Sequence, residues 1–178
     1  DDDDTVVDDD DTVVDDDDSA PGTCAVAGAL TCASGPQSGH TATDPGATDA
    51  VDTYGCSFLS MTGPEIAYEF LAPSAGTYEF VLSGLSADLD LLALGGATPC
   101  DPAVCLEDST NGSSQDEEIT LALAAGERVV LVVDGFAFAS SAYSLSVGCE
   151  VLGDDDDTGF DDDDTAPDDD DTVDDDDD

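Results

Sequence analysis

Forty-six acidic side chains share this chain with a single cationic one, Arg128, and no lysine, for a formal net charge of −45. Nucleic-acid and anionic-membrane surfaces are met by clustered Lys and Arg, and phosphate sites need the same cations. Those partners are therefore excluded. No apolar run reaches the roughly 18 residues needed to span a bilayer. Yet 40% of the residues are hydrophobic, too many for a wholly disordered acidic chain. Charge and core must occupy different parts of the sequence.

They do. Residues 1–18 hold 12 Asp and residues 154–178 hold 17, leaving the middle segment 19–153 with a net charge of −16. Both acidic segments repeat with a seven-residue period, as in DDDDTVV at 1–7 and DDDDTAP at 161–167. A coiled coil would need apolar residues three or four apart, whereas Val6–Val7 and Val13–Val14 are adjacent. Runs of Asp also repel one another and favour helix poorly. Residues 1–21 and 154–178 thus read as extended, low-complexity acidic tails or linkers. Because the chain starts and stops inside the repeats, it reads as a segment of a longer protein whose modules they join.

Residues 22–153 are expected to form one domain. Ile66, Tyr68 and Phe70 alternate with Ala67 and Glu69. Tyr78, Phe80 and Leu82, then Ile119, Leu121 and Leu123, then Tyr143, Leu145 and Val147 repeat the pattern. A period of two is that of a strand with one face on a core. Val129–Val133 is apolar on both faces and reads as a central strand. Ala72–Gly76 and Ala124–Glu127 look like hairpin connections. Seven to nine short strands without a helix predict an all-β fold, an antiparallel β-sandwich.

Six cysteines, at 24, 32, 56, 100, 105 and 149, suit an extracellular, oxidising setting with three disulfides. Fifteen connectivities are open to six cysteines. Sequence proximity favours Cys100 with Cys105 around a tight loop. Cys24 with Cys149 would close the ends of the domain, leaving Cys32 with Cys56. Zinc is disfavoured, since no CxxC is present and His40 is the one histidine.

The run GPEIAYEFLAPSAGTYEFVLSGLSADLDLLAL (63–94), then EEITLALAAGERVVLVVDG (117–135) and AYSLSV (142–147) resembles the bacterial pre-peptidase C-terminal (PPC) domain. The likeness centres on residues 65–147. The cysteine-bearing segment and the CDPAVC insert look like a variant flanked by Asp-Thr-rich linkers. The resemblance implies a jelly-roll-like β-sandwich on secreted or cell-surface bacterial proteins. It also implies a non-catalytic role, either flanking a secreted hydrolase or helping to bind matrix or carbohydrate, with calcium bound by some relatives.

The residues themselves argue against an enzyme. A Ser–His–Asp device needs an imidazole, and His40 lies in a polar stretch that reads as a surface loop. No G-x-S-x-G elbow is present. Acid pairs arise by chance among so many carboxylates, so they carry no signal for glycoside hydrolysis. Asp88 and Asp90 share a strand face, and Asp134 ends the Val-rich strand. Together they are candidate oxygen ligands for Ca²⁺, with Asp108, Asp116, Glu117 and Glu118 as further donors. The competing reading places Asp88 and Asp90 on the solvent face of an edge strand. The repeats should gather divalent cations loosely. Thr5, Thr12, Ser19, Thr158, Thr165 and Thr172 follow Asp tetrads and are candidate O-glycan acceptors. Asn111-Gly112-Ser113 matches a sequon but reads better as a turn.

The favoured function is a non-enzymatic extracellular structural or binding module on acidic linkers. One alternative is a subunit of a fibre or matrix ordered by calcium or glycans on the repeats, with self-association or polysaccharide as partner. Another is an accessory domain of a secreted hydrolase.

Overall fold

The protein is described from a computed structural model covering residues 24–96 and 100–151. Both acidic repeats and the six candidate glycan acceptors lie outside the described residues.

Nine strands form: β1 (Val26–Leu30), β2 (Gln37–His40), β3 (Ile66–Leu71), β4 (Gly76–Ser83), β5 (Leu89–Leu94), β6 (Cys105–Ser109), β7 (Glu117–Leu123), β8 (Arg128–Gly135) and β9 (Ala142–Val151). The only helical element among the described residues is a short 3₁₀ turn at Pro102–Val104. A five-stranded sheet runs in the order β1-β3-β8-β5-β6, and a four-stranded sheet in the order β2-β9-β4-β7. The fold is a two-sheet, all-β sandwich. One pair departs from the antiparallel expectation, because β1 lies parallel to β3.

The alternating rows meet between the sheets. Phe70 from β3 contacts Tyr78 and Phe80 from β4 edge-on, at centroid distances of 5.0 and 5.2 Å. Leu89, Leu91, Ile119, Val129, Leu131, Val133 and Leu145 fill the same core. Each such side chain contributes about 1.5–3 kcal/mol of burial free energy. Tyr68 and Tyr143, both buried, join hydroxyls at 2.7 Å, so the polar ends of two core aromatics satisfy each other.

The five-stranded sheet is also covered on its outer face, which alternation alone does not reveal. Val130 and Val132 of β8 and Leu92 and Leu94 of β5 pack there with Val51, Tyr54 and Met61 from the irregular segment 41–63. This second layer explains why β8 is apolar on both faces. It also buries Ala67, expected on a solvent face. Glu65, itself buried, fastens the layer: Oε1 accepts from the Thr48 hydroxyl at 2.6 Å and from the Ala50 amide at 3.1 Å.

Ala72–Gly76 and Ala124–Glu127 are not hairpin turns. Each carries the chain from one sheet to the other, since β3 pairs with β1 and β8 while β4 pairs with β7 and β9. The crossings bond to each other, with Ala72 N donating to Glu127 O and Gly126 N donating to Ala72 O, both at 2.8 Å. Alternation states which face of a strand is buried, not which strand shares its ladder, and this is why a short Gly-containing link was misleading.

All six cysteines are paired, as Cys24–Cys100, Cys32–Cys149 and Cys56–Cys105. None of the three pairings expected from the sequence (Cys100–Cys105 around a tight loop, Cys24–Cys149 closing the ends, Cys32–Cys56 remaining) forms. Cys100 is wholly buried and packs in the outer layer with Cys24, whereas Cys105 begins the edge strand β6. The 3₁₀ turn between these two sends them to different partners. Three disulfides place the protein in an oxidising extracellular or cell-surface setting.

Candidate functional site

Acidic residues gather at the end of the sandwich where β5, β6, β7 and β8 come together. β5 lies between β8 and β6, not at an edge, and every residue of it is buried. Asp90 is therefore 1% exposed, which overturns the edge-strand, solvent-face reading. Asp88, just before β5, is half-buried.

Asp90 faces Asp134 directly across the β5–β8 ladder, so the two carboxylates share the outer face of the sheet. Both oxygens of Asp134 are occupied: the Tyr54 hydroxyl donates to Oδ2 at 2.7 Å and the Gly135 amide to Oδ1 at 2.6 Å. Burial pushes the Asp134 carboxyl up to about 8 against these two bonds, with further upward pressure from Glu65 and Asp90. The Tyr54 phenol is raised too, first by burial and then by Asp134.

Glu117 opens β7 in the same alternating phase as Ile119 and is fully buried. Its Oε2 accepts from the Ser109 hydroxyl at 2.6 Å and from the Asn111 amide at 3.0 Å. Burial raises its pKa, those bonds oppose the rise, and Asp88 adds to it. For Asp90 burial again dominates, followed by repulsion from Asp88, Glu117 and Asp108, and its pKa reaches about 7. One oxygen in each of three side chains is buried without a hydrogen-bond partner: Asp88 Oδ1, Asp90 Oδ2 and Glu117 Oε1.

No cationic side chain answers this charge. Arg128 starts β8, six residues before Asp134, and pairs with Glu69 at 3.0 Å. At about 3.3 Å per residue it stands roughly 20 Å away along the strand. Asp108 is half-buried, while Asp116 and Glu118 are exposed. Among the described residues, no three His, Cys, Asp or Glu side chains already stand in metal-binding geometry.

His40 ends β2 instead of lying in a loop, and its Nδ1 accepts from the Ala42 amide at 3.1 Å. Asn111 lies in an exposed turn, its side-chain amide donating to Asp116 O at 3.0 Å. Sequence reading missed Glu65 and Tyr54, and it gave Glu117 only a secondary place. Extending the Ile119–Leu123 alternation back by two residues would have placed Glu117 inside.

No protein-family model matches the chain, and no curated protein matches it. Solved structures show distant likeness. The pre-peptidase C-terminal domain of collagenase from Bacillus anthracis aligns with a TM-score of 0.43 at 14% identity, over 72% of this chain and 97% of that one. PliG of Aeromonas hydrophila, a periplasmic inhibitor of g-type lysozyme, aligns at 0.41 and 18% identity, over 68% of this chain and 94% of its own. CorA, a surface-associated copper-binding protein of Methylomicrobium album BG8, aligns at 0.43 and 9% identity, over 72% of this chain and all of its own.

Proposed function

We propose that the chain is a non-catalytic extracellular module of the pre-peptidase C-terminal kind, a jelly-roll-like sandwich carried on acidic repeats that act as soluble spacers. The observation that carries the reading is the set of three disulfides. They tie segments 76, 117 and 49 residues apart and fix the outer layer and sheet edges in place. Such stapling suits a domain displayed in a harsh, oxidising medium. Matrix polysaccharide is the partner class of this reading.

The test uses the purified full chain. It is offered peptide, ester and glycoside substrates, and in parallel is co-sedimented with insoluble extracellular polysaccharides. The expected outcome is no turnover and retention by at least one polysaccharide. Turnover that a His40→Ala substitution removes would overturn the non-catalytic reading.

A further inference from the structure

We propose that the acidic repeat at 154–160 docks on the sandwich from which it issues, with Phe160 seated in an apolar groove where β1 and β3 end. The docking surface goes beyond the module reading and stands whether or not the chain binds polysaccharide.

The outer layer does not cover the whole of the five-stranded sheet. It buries Ala67 on β3 and Val130 and Val132 on β8, but at the end of β3 Leu71 is left 57% exposed. Ala29 lies opposite Glu69 on the parallel β1–β3 ladder, and Arg128 lies opposite Leu71 on the β3–β8 ladder. Ala29, Leu30, Ala33, Leu71 and Pro73 wall a groove of about 530 Å³ there, with Glu69 as its charged member. Apolar surface left open in this way favours an apolar occupant.

Three observations name that occupant. The first is where the chain leaves the sandwich. Val151, the last described residue, pairs with Gly76 just beyond Pro73, and Cys149 is bonded to Cys32, itself part of the groove wall. Phe160 lies nine residues past Val151, a reach of up to about 30 Å. The N-terminal repeats join at Cys24, before the other end of β1. The second is the repeat itself. The other repeats follow their Asp tetrads with Thr-Val, Ser-Ala-Pro or Thr-Ala-Pro, whereas this one carries Thr158-Gly159-Phe160, and Phe160 is the sole aromatic residue in segments 1–21 and 154–178. A solvated spacer gains nothing from a phenyl ring, while a groove gains a large buried area. The third is charge. Arg128, the chain's one cation among Lys and Arg, shares the groove's face; Glu69 engages its Nη2 at 3.0 Å and the side chain stays 29% exposed. That single contact leaves other N–H donors of the guanidinium for the tetrad Asp154–Asp157. Charge also weighs against a second copy, because segments of −16 and their repeats repel one another, whereas a tethered segment docks at high effective concentration.

The test uses the full chain, which has no Trp. Phe160→Trp supplies a single fluorescent reporter, and Val173→Trp, in a later repeat, supplies the solvated reference. The emission of Phe160→Trp should lie to the blue of the reference, and acrylamide should quench it several-fold less. Adding Leu71→Asp, or separately Ala29→Glu, should return both readings to the reference values. Leu71 and Ala29 are exposed, so neither change touches the core, and circular dichroism confirms that each variant is folded. Emission and quenching equal to the reference in Phe160→Trp overturn the docking. So does protection that survives both groove variants, because the ring then lies elsewhere. Protection that grows with protein concentration overturns docking within one chain and gives the groove to a second copy.

Discussion

Replacing Asp90 by Asn should stabilise the metal-free protein, and the gain should depend on pH in the direction opposite to that of an ordinary paired carboxylate. Asp90 is 1% exposed. Burial first, then Asp88, Glu117 and Asp108, raise its pKa from 3.8 to about 7. The folded state therefore holds the proton more tightly than the unfolded one. A group raised in this way contributes fully below its unfolded pKa, and the contribution fades as pH rises through the folded value. Each pH unit between about 4 and 7 should remove about 1.4 kcal/mol, and the total approaches about 4 kcal/mol above pH 7. Relaxation and water entry reduce such figures, so a measured gain of about 2–4 kcal/mol for Asp90→Asn at pH 8 is the expectation.

The assay is urea unfolding in EDTA at pH 5, 6, 7 and 8, read by circular dichroism, because the chain has no Trp. Parent and variant carry the same repeats, so the repeats' titration cancels in the difference. A slope remains in the variant, because the Asp134 carboxyl is pushed up to about 8 and Glu117 is raised as well. The variant should match the parent near pH 4 and exceed it increasingly toward pH 8. A variant that is less stable than the parent at pH 8, or a difference that does not change with pH, would refute the reasoning.

The other predictions concern the frame. Replacing Cys32 and Cys149 together by Ala opens a link spanning 117 residues; on the chain-entropy account it should cost about 4–5 kcal/mol, seen as a fall in the urea midpoint. Phe70→Ala empties the contact shared with Tyr78 and Phe80 and should cost about 3–5 kcal/mol by the same measurement. Gly135→Ala places a methyl group against the Ala139 carbonyl and close to Gly63; a loss of about 1–3 kcal/mol is expected, and a neutral result would show that the turn yields freely.

Much of the sandwich was legible because alternation is a local signal. The rows Ile66–Phe70, Tyr78–Leu82 and Ile119–Leu123 name their own buried faces, and the structure puts those faces in one core. Pairing is not local. The crossings at Ala72–Gly76 and Ala124–Glu127 look like hairpin turns in sequence, and only the packing of two sheets separates the alternatives. The disulfides were misread for the same reason: Cys100 and Cys105 are neighbours in sequence, yet one turns into the outer layer and the other onto an edge strand. β1, β2 and β6 carry weak patterns, since β1 and β6 mix exposed with half-buried residues and Gly39 interrupts β2. The segment 41–63 has no period at all, so the layer it forms over Val130 and Val132 left no trace except that β8 is apolar on both faces.

The same limit decides what the acids mean. In a chain of 46 carboxylates, a count cannot separate solvated ones from functional ones, and most lie in the repeats. Burial and partners separate them. Glu65 is buried and bonded to Thr48 and Ala50, which makes it a fastener for the outer layer. Asp134 is buried and bonded to Tyr54 and Gly135, which makes it a second fastener between that layer and β8. Asp90 and Glu117 are as deeply buried, yet each keeps an oxygen without a donor. A fastener removed leaves its donors without an acceptor, which costs stability. An unmet carboxylate removed restores stability wherever it was charged. Asp134→Asn should therefore gain less stability than Asp90→Asn at pH 8 in EDTA, although the two residues face each other on one ladder and burial raises both carboxyls: Asn at 134 disturbs the bonds from Tyr54 and Gly135, and Asn at 90 leaves no such donor behind.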